Sequence, residues 1–298
     1  MHRRIIALSI ALLALSCPAA FAREPTPDAK DGARAAMPTP LPFKPDEQLT
    51  YEGEFSKLLL RGINIAEFKF AVGRVQPETA APAPSTGAVN VPPAQLMFTG
   101  EVVARGWFRK LFGIDFHYNT ESVVDATSLL ILSNRTRDEQ GKRLRTSESV
   151  FDRIRNTLTW TLRNPNDPQS QPRVVTAPLQ NASHDLISAI YFLRTQPLEP
   201  GRTLELNISD SGAVYRIPVK VGARTKRMKT IVGRVQTVRV DIEIFGADRL
   251  VDRKGEMTLW ITDDARRLPV RARINTDIGT LDITLKKVSG DAAPTARR

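Results

Sequence analysis

Cysteine is nearly absent from this chain of 298 residues: it has one, Cys17, and three histidines. That scarcity removes whole chemistries. A zinc site needs clustered cysteine, histidine and carboxylate ligands, yet His117 and His184 stand apart with no cysteine near them. Acidic, glycine-containing calcium loops are missing. So are the glycine-rich P-loop and dinucleotide patterns that cradle phosphates. No metal and no cofactor is expected. Ser183-His184-Asp185 contains the residue types of a hydrolytic triad, but neighbours at a helix start point in different directions, and a triad is assembled in space. Glu52 and Glu54 lie on one outward strand face, where solvated charge is the simpler account. The chain is therefore expected not to be an enzyme.

Long apolar runs are confined to the beginning, "MHRRIIALSIALLALSCPAAFA". A basic start, a short apolar stretch and Ala20-Phe21-Ala22 match a secretory signal cleaved after Ala22. The competing reading, lipidation at Cys17, fits less well, because Ala14-Leu15 reverses the usual order of a large residue before a small one. Cleavage after Ala22 leaves a mature chain without cysteine, so disulfides are excluded even in an oxidising compartment. No later stretch approaches the roughly 18–20 apolar residues of a spanning helix. The expectation is a periplasmic protein of a Gram-negative envelope, with no transmembrane helix in the mature chain.

Negative charge is outnumbered: 43 Lys and Arg stand against 32 Asp and Glu, a net +11. The basic residues are dispersed, which gives a generally positive surface. For an exported protein the matching partners are an anionic lipid or glycan surface or an envelope protein, and not nucleic acid.

Three segments lack hydrophobic period. Residues 23–44 and the tail 289–298 read as disordered, and 76–94, "QPETAAPAPSTGAVNVPPA", reads as a mobile insertion within one domain spanning 45–288. Elsewhere the period is two. Leu49, Tyr51 and Phe55 alternate with polar residues, as do Phe68, Phe70 and Val72, then Val238, Val240 and Ile242, then Leu281, Ile283 and Leu285. "TDDARR" (262–267) predicts a turn, which leaves Arg271 and Arg273 on the outward strand face. One helix is expected near 183–194, with Ser183 as N-cap, a stripe of Leu186, Ile190 and Leu193 with Ile187 beside it, and Arg194 at its end. The predicted fold is mainly β: a strongly curved, half-barrel-like antiparallel sheet of about a dozen strands, joined by hairpins and covered by that helix.

"PFKPDEQLTYEGEF", "RGWFRKLFGIDFHYNTESVVD", "HDLISAIYFLR" and "DDARRLPVRARINTDIGTLDITL" occur in order over about residues 42–288. Together they resemble the bacterial family called domain of unknown function 3108. The resemblance implies a Gram-negative envelope protein with a signal peptide and supplies no reaction. It also implies a looser, fold-level similarity to lipoprotein-carrier-like half-barrels.

Candidate site residues fall in three groups. Trp107, Phe108, Leu111 and Phe112 are set among Arg105, Arg109 and Lys110, a basic, aromatic stretch suited to a lid or a membrane contact, or simply to plugging the open end of the sheet. Ile187 and Ile190 would line a ligand cavity under the helix. The run Arg224, Lys226, Arg227 and Lys229 is expected in a solvated turn and is the second candidate anionic contact. The leading functional expectation is non-enzymatic binding or carrying of an apolar or lipid-like ligand. The alternative is an envelope structural or assembly factor that binds a protein or an anionic glycan through its basic faces.

Overall fold

The computed structural model describes residues 41–75, 94–105, 115–179 and 182–290. Their period-two pattern builds fifteen strands in one sheet, in the order β8-β7-β6-β5-β4-β3-β2-β1-β15-β14-β13-β12-β11-β10-β9. The first run is a meander of β1 (Gln48–Lys57), β2 (Leu60–Arg74), β3 (Gln95–Ala104), β4 (Phe116–Asp125), β5 (Ile131–Gln140), β6 (Arg143–Asp152), β7 (Thr157–Arg163) and β8 (Arg173–Pro178). The short β9 (Ser183–His184) and the helix α1 (Leu186–Thr195) follow. A second meander comprises β10 (Thr203–Asp210), β11 (Ala213–Thr230), β12 (Gly233–Ile242), β13 (Gly255–Thr262), β14 (Pro269–Thr276) and β15 (Gly279–Ser289). β15 returns to pair antiparallel with β1, with Ser289 opposite Gln48. β8 and β9 form the two edges, so the sheet is a curved half-barrel and not a closed barrel. It has three or so more strands than the hydrophobic pattern predicts.

The helix lies against the concave face and is apolar nearly all round, the pattern of a buried helix. Ala189 and Leu193 pack into a core cluster with β10–β13 residues such as Ile208, Ile217, Val240 and Leu259. Ile187 and Tyr191 pack with Phe98, Val124, Ile131 and Leu158 on the other meander. A third cluster, with Leu49, Tyr51, Phe68, Val270 and Leu285, joins the two meanders where β1 meets β15. At about 1.5–3 kcal/mol for each fully buried large apolar side chain, this packing replaces the staples that a cysteine-poor chain cannot make.

The helix begins later than expected. Ser183 does not cap it: Ser183 and His184 pair in parallel with Asn207 and Ile208 of β10, which commits their backbone to the sheet. The N-cap is Asp185, whose carboxylate accepts from Ser188 N while the Ser188 hydroxyl bonds back to the Asp185 amide. This reciprocal pairing satisfies two otherwise orphaned amides. The predicted disordered leader also ends too late: Phe43 is only 4% exposed and packs edge-on to Phe98 and Tyr191. Its aromatic ring is core material, whatever the proline-rich composition around it. Residues 23–40, 76–93 and 291–298 lie outside the described residues.

The turn at 262–267 is present, with Asp264 accepting the amides of Arg266 and Arg267. Beyond it Arg271 and Arg273 converge on Asp282 of β15, opposite in pleat to the inward Ala272, Ile274, Leu281 and Ile283. One close approach sets how deeply the helix sits. A Cβ added to Gly100 on β3 would lie 2.8 Å from Ile187 Cδ1 and 3.1 Å from Thr120 Cγ2. Gly100→Val is therefore expected to cost about 1–3 kcal/mol by overpacking, visible as a lower urea midpoint with an unchanged slope.

Candidate functional site

The inner wall of the sheet is divided by chemistry. On β1–β3 and β13–β15 the inward residues are apolar, among them Tyr51, Phe68, Val102, Leu259, Ile274 and Ile283. With Leu186, Ile187 and Ile190 of α1 they enclose an apolar cavity of about 140 Å³. On β4–β7 the inward residues turn polar. Thr120 faces Thr136 across β4–β5, Asn134 faces Ser149 and Asp138 faces Arg145 across β5–β6. These residues, with Trp160, Asp185, Asp210 and Arg253, line a second chamber of about 460 Å³. Tyr118, Thr120, Leu186, Ile187 and Leu250 line both, so the two spaces adjoin at one wall.

The polar chamber is electrostatically loaded. Asp138 is paired with Arg143 at 2.9 Å, yet burial pushes its carboxyl up against the opposing pull of Gln140, Arg143 and Arg145. Burial also raises the Asp210 carboxyl, with Ser211 as its hydrogen-bond donor; Asp210 is accessible at the chamber wall while protein encloses it. Asp185 is buried and raised for the same reason, although Ser122, Ser188 and Asn134 all donate to it. Tyr118 stands where the chambers meet. Burial holds its hydroxyl well above the usual phenol range, and the negative potential of Asp210, Asp185 and Asp138 adds to this. Arg253 lines the chamber with one guanidinium nitrogen buried and unpartnered among the described residues. Such a wall suits a polar group carrying both donors and acceptors.

Of the sequence-predicted residues, Ile187 and Ile190 line the apolar cavity. Arg105 is on the outer face, bound to Glu67 at 2.8 Å, beside Lys69, which pairs with Glu101 at 3.0 Å, and His117, whose Nε2 lies 3.0 Å from Glu101 Oε1. Trp107, Phe108, Arg109, Lys110, Leu111 and Phe112 lie outside the described residues. The run 224–229 is not a turn. Arg224, Lys226, Arg227 and Lys229 are exposed on the outer half of β11, paired with β12 from Thr225 opposite Val238 to Thr230 opposite Gly233. Along β11 itself every residue from 224 to 227 is exposed, so no apolar alternation marks this stretch as a strand. His184 stacks on Phe192 with ring centroids 4.3 Å apart, while the Asp185 carboxylate is taken up by Ser122, Asn134 and Ser188. Sequence reasoning missed the polar chamber. Its signal was available in "SNRTRDE" of β5, where Asn134, Thr136 and Asp138 alternate as an apolar inner face would.

Among the described residues no helix is long and apolar enough to cross a membrane. Residues 62–286 match the protein family of unknown function DUF3108. No functionally curated protein matches the chain. The fold is similar to the crystal structure of a beta-barrel-like protein of domain of unknown function DUF1849 from Brucella abortus, at TM-score 0.50 and 7% identity over 83% of this chain and 98% of that one. A protein with a YmcC-like fold from Bacteroides fragilis aligns at TM-score 0.30 and 12% identity, over 84% of this chain and 98% of that one.

Proposed function

The chain belongs to the DUF3108 family, and from that premise we propose that it is a non-enzymatic binding or carrier protein of the cell envelope for a lipid-like, amphiphilic ligand. The observation that carries this reading is the shared wall. An apolar cavity behind α1 and a polar, charged chamber over β4–β7 meet at Tyr118, Thr120 and Ile187, which suits one molecule with an apolar part and a polar head. The apolar cavity of about 140 Å³ is the size that holds a benzene. A long acyl chain therefore requires α1 to swing away from Gly100 and the β1–β3 wall. The apolar, basic character of residues 1–22 supports export to the periplasm.

Native mass spectrometry of the protein purified gently from its own compartment, with organic extraction, tests the proposal. The expected result is a reproducible lipid-sized adduct that disappears in Ile190→Asp while the variant keeps its far-ultraviolet circular dichroism. A clean apo mass from folded wild-type protein sinks it. The second reading, a protein or anionic glycan partner, is supported by the exposed basic ribbon at Arg224, Lys226, Arg227 and Lys229, and would then take its place.

A further inference from the structure

The β1–β2 hairpin ends in the wrong residues for a turn. Lys57 pairs with Leu60, so Leu58 and Leu59 form a two-residue loop, the type that favours glycine, or asparagine followed by glycine, because φ is positive at its first position or at both. Leu58 has φ +50°, a conformation that a leucine adopts only under strain. The tip also gains nothing from burial: Leu58 is 86% exposed, Leu59 98% and Leu60 47%. Strain and exposed apolar surface thus coincide at one point with no folding benefit, and such outliers persist where function uses them. Lys57 and Arg61 flank the leucines and are exposed. A projecting apolar tip with a collar of cations matches one partner chemistry, the interface of an anionic bilayer, where leucines enter the acyl boundary and the cations meet phosphates.

The place of the tip adds a second argument. Alternate turns of an antiparallel meander lie at the same end of the sheet. The β1–β2 tip therefore shares its end with the β5–β6 turn after Gln140, the β10–β11 turn at Ser211 and the β14–β15 turn before Gly279. Asp138 and Arg143 flank the first of these turns, and Asp210 and Ser211 form the second; all four line the polar chamber. The geometry points to Leu58, Leu59 and Leu60 as a membrane anchor that seats the chamber end of the sheet on an anionic lipid surface through Lys57 and Arg61. This inference holds whatever the chambers carry, and its test contains no added ligand.

The test uses residues 23–298, which contain no native cysteine, with Leu59→Cys labelled with an environment-sensitive dye. Vesicles of phosphatidylethanolamine with phosphatidylglycerol are expected to shift the dye emission to the blue, and phosphatidylcholine vesicles to do so far less. In sedimentation with the anionic vesicles, Leu58→Glu/Leu59→Glu is expected to bind more weakly by about tenfold or more, with its melting temperature unchanged because the tip is solvent-exposed. A dye that stays water-exposed while the protein sediments with vesicles overturns the inference, since another segment then makes the contact. Absence of sedimentation overturns it too. A blue shift that rises with protein concentration without lipid assigns the tip to a second copy of the chain instead, and equal binding to neutral vesicles removes the role of the cations.

Discussion

Replacing Arg194 by methionine is expected to lower the melting temperature by roughly 10 °C, a loss of about 3–5 kcal/mol. Arg194 is 2% exposed and Glu47 1%. They form a forked pair, Nη1 to Oε1 at 2.5 Å and Nη2 to Oε2 at 3.0 Å. Nη2 also reaches the carbonyl oxygens of Pro42 and Arg266, Nε is buried with no partner among the described residues, and the cation lies 5.1 Å from the Phe43 ring and 5.3 Å from the Tyr191 ring. One side chain therefore ties the last turn of α1 to the segment before β1 and to the β13–β14 turn. Methionine keeps much of the apolar stem but strands the Glu47 carboxylate without its counter-charge, and an unpaired buried charge is the costly state.

The pair itself is a different matter. Desolvating both ions offsets most of their attraction, so exchanging the two together for apolar residues is far cheaper than breaking one. Arg194→Met/Glu47→Leu is accordingly expected to recover most of the loss, with a coupling of about 2–3 kcal/mol in a double-mutant cycle from urea unfolding. Additive losses would show that Arg194 acts through its carbonyl and ring contacts and not through Glu47. Arg194 also lines the apolar cavity, so the single variant loosens the C-terminal end of α1 beside the proposed ligand space.

The fold was legible where strands have one dry face. Val238, Val240 and Ile242 alternate because their inner neighbours are apolar, and the same rule finds most of β1, β2 and β13–β15. It fails where the physical premise fails. The inner faces of β5 and β6 are polar because they wall a chamber; residues 224–227 of β11 are all exposed; and the edge strand β8 is largely exposed. Two residues of β9 are fixed by a parallel ladder to β10, a tertiary contact with no local signature, and that contact moved the helix start from Ser183 to Asp185. Of the candidate site, Ile187 and Ile190 followed from helical spacing. The leucine tip was not legible, since three apolar residues in a row carry no period and turn chemistry would place them elsewhere.

Lowering the pH from about 6.5 to 4 is expected to remove about 3 kcal/mol of stability through His184 alone. Its ring is fully buried, neither ring nitrogen has a partner among the described residues, and it stacks on Phe192. Burial, reinforced by the positive charge of Arg153, pulls its pKa from 6.5 down to about 4. The unfolded chain therefore takes up the proton first. The contribution is complete above the unfolded pKa, declines as pH falls through the interval between the two values, and is gone below about 4. Asp138, Asp185 and Asp210 act in the opposite sense: their raised pKa values favour the folded state as they protonate, so the wild-type curve alone mixes the two effects. The comparison with His184→Phe separates them, because phenylalanine keeps a flat ring against Phe192 and cannot protonate. The stability difference between variant and wild type should be roughly constant above about pH 7 and grow in the variant's favour by about 3 kcal/mol on descending to about pH 4. A difference that stays flat across that range would mean that His184 takes its proton as readily in the fold as outside it, and that water or a rearranged side chain reaches the ring.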